Sequence, residues 1–175
     1  MSFRVDMDFR LKDGRVVTVR SFRAEDFESM LAMFQSLSAE ALRFGLPPYD
    51  RARLERWISG LEGGILLLAF DRSKVVGVAM IYGRGRTRFR GIGEFVTYIH
   101  QDYHSKGLGT FLAKTILQEA KGKGFHRITL EVVADNTGAI KAYERAGFLP
   151  EGRMKDGFLD DDGKYHDQLI MGTIL

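Results

Sequence analysis

At 175 residues the chain is about one domain long, enough to hide about 70% of its unfolded surface without disulfide or metal staples. Its 45% hydrophobic and 28% charged residues exclude disorder, collagen and coiled coil as whole-chain readings. Cysteine is absent, which removes disulfides, thiolate metal sites, iron–sulfur clusters and a cysteine nucleophile together. The formal charge of +3, from 26 Lys+Arg against 23 Asp+Glu, is weaker than a dedicated nucleic-acid binder carries and suits an anionic ligand.

Met1 to Asp6 lacks the basic-then-apolar build of a signal peptide. The longest apolar run, Ile65 to Phe70, falls far short of the ~20 residues of a membrane span. A single domain over 1–175, soluble and cytoplasmic, is the expectation. In chain order, Val16 to Arg20 reads as a first strand, and Phe27, Met30, Leu31 and Phe34 recur at helical spacing behind the acidic Glu25 and Asp26. Pro47-Pro48 breaks the chain, and Asp50 caps a second helix whose stripe is Leu54, Trp57, Ile58 and Leu61. Two strands follow, Ile65–Phe70 and Lys74–Tyr82, then a Gly/Arg segment from Gly83 to Gly93. Arg84, Arg86, Arg88 and Arg90 alternate there, so in a strand they would share one solvated face. Glu94 to His100 is rich in β-branched and aromatic residues and reads as a strand. Gly107 to Lys121 is helical by pattern, Arg127 to Val133 is a strand, and Asn136 caps a short helix ending at Gly147. The tail from Arg153 holds two strand-like runs around Asp162-Gly163, a hairpin signal. The order implies a mixed sheet with helices on its faces.

The chemistry concentrates where the 94–100 strand runs through Ser105-Lys106-Gly107-Leu108-Gly109-Thr110 into a helix. Small residues let a backbone approach a ligand closely, and the free N–H groups of a helix start attract phosphate; a plain tight turn has the same sequence. A P-loop would need Gly-Lys-Ser/Thr after its spacer, which is missing. A dinucleotide fingerprint would need Gly or Ala where Leu112 stands. Glu131 lies 22 residues after Gly109, roughly where a ribose-binding acid falls, so spacing alone leaves a nucleotide reading open. Asn136 and Tyr143 lie two helical turns apart, near one face. By itself Asn136 reads as a simple cap, and Tyr143 as a core aromatic.

Taken together, Asn136, Ala139, Tyr143, Gly147 and Phe148, preceded by Gly107-Leu108-Gly109 at a helix start, resemble the GNAT-type N-acetyltransferases. The resemblance covers residues 94–150, and the last strand, Tyr165 to Gly172, looks like that of phosphinothricin- and ribosomal-protein-acetylating relatives. His104 stands where that pattern has Gln or Arg. The resemblance implies an α/β (α+β) fold with a mixed, mostly antiparallel central sheet of about seven strands. About four helices flank it, and it splays between the fourth and fifth strands. It also implies acetyl-CoA as acyl donor: the backbone of Thr97, Tyr98 and Ile99 would pair with the pantetheine arm. The N–H groups from Ser105, Lys106, Gly107, Leu108, Gly109 and Thr110 would hold the diphosphate, Asn136 would contact the arm, and Tyr143 would sit near the sulfur. A primary amine is mostly protonated at neutral pH, so a base is needed, and Glu94 and Glu131 compete for that role with a solvated strand charge as the alternative for each.

The implied reaction is direct transfer of an acetyl group, in a ternary complex, to a primary amine: a protein lysine or N-terminus, a polyamine or a small amine. A strand amide near Tyr98 would polarise the carbonyl, and Tyr143 would protonate the leaving thiolate. The alternative is a non-catalytic acyl-CoA-binding sensor. No metal is expected, because His100, His104, His126 and His166 lack ligand spacing and Asp160-Asp161-Asp162 fails the calcium-loop pattern. His166-Asp167 reads as an ordinary surface pair. No membrane or nucleic-acid partner is expected; such relatives commonly dimerise, so a homodimer is an expectation.

Overall fold

The structure is a computed structural model, and it describes residues 6–83, 85 and 87–175. Eight strands make one sheet: β1 (Asp6–Arg10), β2 (Val16–Ser21), β3 (Ile65–Asp71), β4 (Lys74–Gly83), β5 (Ile92–Ile99), β6 (Arg127–Val133), β7 (Leu149–Leu159) and β8 (Tyr165–Ile174). Five α-helices accompany them: α1 (Phe27–Gln35), α2 (Ala39–Leu42), α3 (Arg51–Ser59), α4 (Leu108–Gly122) and α5 (Thr137–Ala146). The strand order is β1-β2-β3-β4-β5-β6-β8-β7, antiparallel at every step except the parallel β5–β6 pair.

The mixed, mostly antiparallel sheet is therefore as expected, with one strand and one helix more. The extra strand is β1, whose Asp-Met-Asp-Phe-Arg alternation is exposed at four of five positions on the sheet edge. The extra helix, α2, is a single turn capped by the Ser38 hydroxyl, which accepts from the Ala41 amide. Asp50 caps α3 as expected, accepting from the Arg53 amide at 2.8 Å. The alternating arginines do not form a strand face: Thr87–Phe89 is a turn of 3-10 helix containing Arg88, with Arg90 in the loop after it. Arg84 and Arg86 lie outside the described residues. The β7–β8 connection, centred on Asp162-Gly163, is longer than a two-residue turn. It is closed by the Asp160 amide on the Lys164 carbonyl, with Gly163 at φ +78°.

Two cores sandwich the sheet. On one face Phe95, Ile128, Leu130 and Phe148 pack against Leu108, Leu112 and Ile116 of α4 and against α5. On the other, Leu66, Leu68, Val78 and Met80 pack against Met30 and Phe34 of α1 and Leu54 of α3. The strand period of two sends Phe95 and Ile99 to the α4–α5 face, and Val96 and Tyr98 to the α1–α3 face.

The sheet is interrupted at its centre. β5 pairs with β6 only at Ile92–Arg127, Gly93–Ile128 and Glu94–Thr129. Beyond Glu94 the strands part, while β4 follows β5 to Ile99. This is the splay expected between the 94–100 and 127–133 strands, fourth and fifth of the seven read from the sequence.

Candidate active site

The wedge opened by β5 and β6 is bounded at its wide end by the loop into α4. Ser105 sits at φ +59° and Gly107, the N-cap of α4, at φ +90°. This alternation of left-handed residues turns consecutive amides toward one side, the geometry of an anion nest. Among the described residues, no amide from Ser105 to Thr110 donates to a protein acceptor. Four of these are the orphans of a helix start, carrying its positive dipole end. Gly109 has little room: a Cβ there would lie 3.1 Å from Ile99 Cδ1. Lys106 adds a positive charge, 3.9 Å from Asp13.

The β1–β2 turn braces this loop, which the sequence reading missed. The Lys12 amide donates to the Lys106 carbonyl at 3.2 Å. Phe9 stacks on Phe111 of α4 at 4.1 Å between centroids. Lys12 Cε lies 3.9 Å from where a Cβ on Gly107 would stand, so a cation without an ion-pair partner among the described residues lies beside Gly107. The His104 Nε2 donates to the Ile99 carbonyl at 2.8 Å.

Ladder phase decides which backbone groups face the wedge. The His100 amide donates to the Val76 carbonyl, which makes His100–Val76 a hydrogen-bonded pair. By alternation along the β4–β5 register, Tyr98–Val78 is also such a pair, and Ile99–Gly77 and Thr97–Ala79 are not. The amides of Thr97 and Ile99 therefore point into the wedge, whereas that of Tyr98 is committed to β4. The carbonyl-polarising amide expected near Tyr98 can come from its neighbours only.

Tyr143 is on α5, on the α4–α5 face. Its ring meets Phe95 edge-on at 5.8 Å and Phe148 at 6.0 Å. Phe95 is the first residue past the last β5–β6 pair, so the phenol stands by the apex of the wedge. Its hydroxyl has no hydrogen-bond partner among the described residues, and burial pushes its pKa up to about 12, so it remains a proton donor at neutral pH. Asn136 caps α5, its Oδ1 accepting from the Ala139 amide at 3.3 Å.

Glu94 and Glu131 are on the other face, by strand alternation with Phe95 and with Leu130 and Val132. Glu94 is in register with Thr129, and Glu131 lies two residues further along β6. The two exposed carboxylates thus flank the wedge from opposite lips. An aromatic group adjoins them: the Tyr49 hydroxyl donates to Tyr98 at 3.0 Å, and Trp57 stacks on Tyr98 at 5.7 Å. The half-buried guanidinium of Arg53 lies over Tyr49 at 5.2 Å and Trp57 at 5.5 Å, and has no carboxylate partner among the described residues. Burial raises the Tyr82 phenol above its ordinary range, with Arg53 opposing and Glu94 reinforcing the shift. Arg53 and Glu94 thus share its surroundings.

His166 corrects the expectation of a surface pair. It is buried, and its ring bridges Asp135 and Asp160, while Asp167 is taken by Arg153 at 2.6 Å. No group of three or more metal-ligating side chains occurs among the described residues. Nor is any described helix long and apolar enough to cross a membrane.

A divided sheet, an amide nest at one end of the division and a phenol at its apex define the acyltransferase class. Residues 30–148 match the acetyltransferase (GNAT) family, and the chain belongs to that family as an N-acetyltransferase. It is 27% identical over 143 residues to the L-methionine sulfoximine/L-methionine sulfone acetyltransferase of Pseudomonas aeruginosa, covering 78% of this chain and 83% of that protein. A GNAT-family acetyltransferase from Streptococcus pneumoniae superposes with a TM-score of 0.79 at 25% identity, over 91% of this chain and 99% of that one. The fold is also shared with a phosphinothricin acetyltransferase from Sinorhizobium meliloti, solved in complex with AcCoA. The TM-score is 0.79 at 24% identity, over 91% and 88% of the two chains.

Proposed function

We propose that the protein transfers the acetyl group of acetyl-CoA to the primary amine of a small molecule carrying an anionic group, by direct transfer in a ternary complex. Acetyl-CoA supplies the activated acyl group as a thioester. The amides from Ser105 to Thr110, with Lys106 and Lys12 beside them, hold its diphosphate. The wedge-facing backbone of Thr97 and Ile99 holds the pantetheine arm in place of the missing β6 rungs, with Asn136 at the other side of the opening. The same amides donate to the carbonyl oxygen as it gains charge. Glu94 or Glu131 takes the proton of the ammonium, directly or through water, and Tyr143 gives one to the departing sulfur.

The observation that supports this reading most is the division of labour across the sheet. The proton donor lies on the α4–α5 face and both carboxylates lie on the α1–α3 face, with the opening between them. A thioester threaded there meets an acid and a base from opposite sides. Arg53, which has no carboxylate partner among the described residues and whose charge acts on Tyr82, as that of Glu94 does in the opposite direction, supports an acceptor with a carboxylate or similar anion. The P. aeruginosa relative, named for methionine sulfoximine and methionine sulfone, agrees with this.

Free-thiol release is to be measured with acetyl-CoA against amino acids, polyamines and N-terminal peptides, alongside calorimetry with acetyl-CoA alone. Turnover with an anionic small amine supports the proposal. Tight binding of acetyl-CoA with no thiol release from any acceptor would instead support an acyl-CoA sensor.

A further inference from the structure

His166 lies outside the coenzyme wedge, with only 3% of its surface exposed. Its Nδ1 is 2.6 Å from Asp135 Oδ2, and its Nε2 is 2.7 Å from Asp160 Oδ2. Ionised carboxylates only accept, so both ring nitrogens must carry hydrogen and the ring is an imidazolium. Asp160 is itself fixed by the amides of Asp162 and Lys164, each at 3.0 Å. The trio joins segments distant in sequence. Asp135 is in the β6–α5 turn, next to Asn136, and Asp160 opens the β7–β8 turn. Phe44, between α2 and α3, packs edge-on against His166 at 5.9 Å and against Phe158 at 6.5 Å.

These segments border the α1–α3 side of the wedge, at the C-terminal end of β6. We propose that His166, doubly bonded to Asp135 and Asp160, is a positioning residue that holds the β7–β8 turn and the Phe44 segment as the wall against which the acceptor binds. The proposal rests on the reading that the acceptor enters from this face.

A neutral imidazole donates only once. Deprotonation would leave one carboxylate facing a lone pair and free one of the two turns. The groups facing the ring are Asp135 from the β6–α5 turn, Asp160 and Lys164 from the β7–β8 turn, and the uncharged rings of Phe44 and Phe158. The bond to Asp160 and then that to Asp135 raise the imidazole pKa above its ordinary value, with burial and Lys164 opposing. The clamp is therefore closed below that elevated value and opens as pH rises through it.

The test follows the His166 ring by NMR from about pH 6 to about pH 10, together with KM for the acceptor and for acetyl-CoA. Acceptor KM is expected to rise as the ring loses its proton, with acetyl-CoA KM flat. Asp160→Asn removes one charge and should move the ring titration and the acceptor-KM limb to lower pH together. His166→Gln, with one donor group, should raise acceptor KM by about tenfold and make it independent of ring titration. A ring that stays neutral across that whole range overturns the proposal. So does an acceptor-KM limb that stays in place when Asp160→Asn moves the titration. Hydrogen exchange of the 42–46 and 49 amides in the wild-type protein needs no acceptor. Protection factors, with the base-catalysed rise of the intrinsic rate divided out, that fall above the ring's pKa support the clamp even if no acceptor is turned over, and protection that does not change overturns it.

Discussion

Tyr143→Phe separates chemistry from architecture. The ring keeps its edge-on contacts with Phe95 and Phe148, and the hydroxyl has no protein hydrogen bond to lose among the described residues. Stability should change by less than about 1 kcal/mol. On the proposed mechanism, what disappears is a positioned acid, worth about 10²–10⁴ in rate, or about 2.7–5.4 kcal/mol of barrier. With both substrates saturating at neutral pH, kcat for thiol release should fall by about that factor while KM for acetyl-CoA stays within about threefold. Burial holds the wild-type phenol near pKa 12, so the wild-type kcat profile should show no basic limb from Tyr143 below about pH 10. A kcat within about threefold of wild type, with unchanged melting temperature, would refute the reasoning: the sulfur would then leave unassisted as thiolate.

Glu94→Gln and Glu131→Gln should part company in a pH–rate series. The variant that has lost the base should drop in kcat/KM by about 10²–10⁴, and two variants with wild-type profiles would exclude both carboxylates. Lys12→Ala should raise KM for acetyl-CoA about threefold to tenfold and flatten its salt dependence, leaving kcat alone; an unchanged KM at low salt contradicts a role for the cation beside Gly107. In the Arg20–Asp26 pair, at 2.6 Å, the Arg20 guanidinium and then the Arg23 amide hold the Asp26 carboxyl below its usual range against the opposing effect of burial. The stability this contributes is present above about pH 4 and is lost as pH falls through the lowered value. Asp26→Asn should therefore cost about 2 kcal/mol at neutral pH, read by denaturant unfolding, with the gap to wild type closing as pH falls through the lowered value.

Local signals were legible because local physics makes them. Gly107 is where the backbone needs positive φ, Asn136 and Asp50 cap their helices, and the period of two in Glu94–His100 and Arg127–Val133 places their side chains. Other features depend on partners distant in the chain. The wedge-facing amides of Thr97 and Ile99 follow from the phase of the ladder with β4, which no alternation of side chains encodes. Lys12 reaches Gly107 only because β1 pairs with β2 at the sheet edge. Ser105 is left-handed without being glycine. His166 looked like a surface residue beside Asp167 because its carboxylates, Asp135 and Asp160, arrive through the β6–β8 and β7–β8 pairings. The Arg84–Arg90 alternation looked strand-like, but in the described part the backbone coils into a helical turn at Thr87–Phe89.

The short seam between β5 and β6 has a mechanical consequence. The ladder of hydrogen bonds that knits β1 through β5 meets the β6–β8–β7 group, among the described residues, at the Ile92, Gly93 and Glu94 pairs and at the Gly91 carbonyl, which accepts from the His126 and Arg127 amides. A molecule lying in the gap replaces absent rungs and fastens two half-sheets to each other, so saturation with coenzyme A should lift the melting temperature in step with RT ln(1 + [L]/Kd). On the proposed function, occupancy and cohesion are then the same event: a donor substrate in the gap would complete the sheet that binds it.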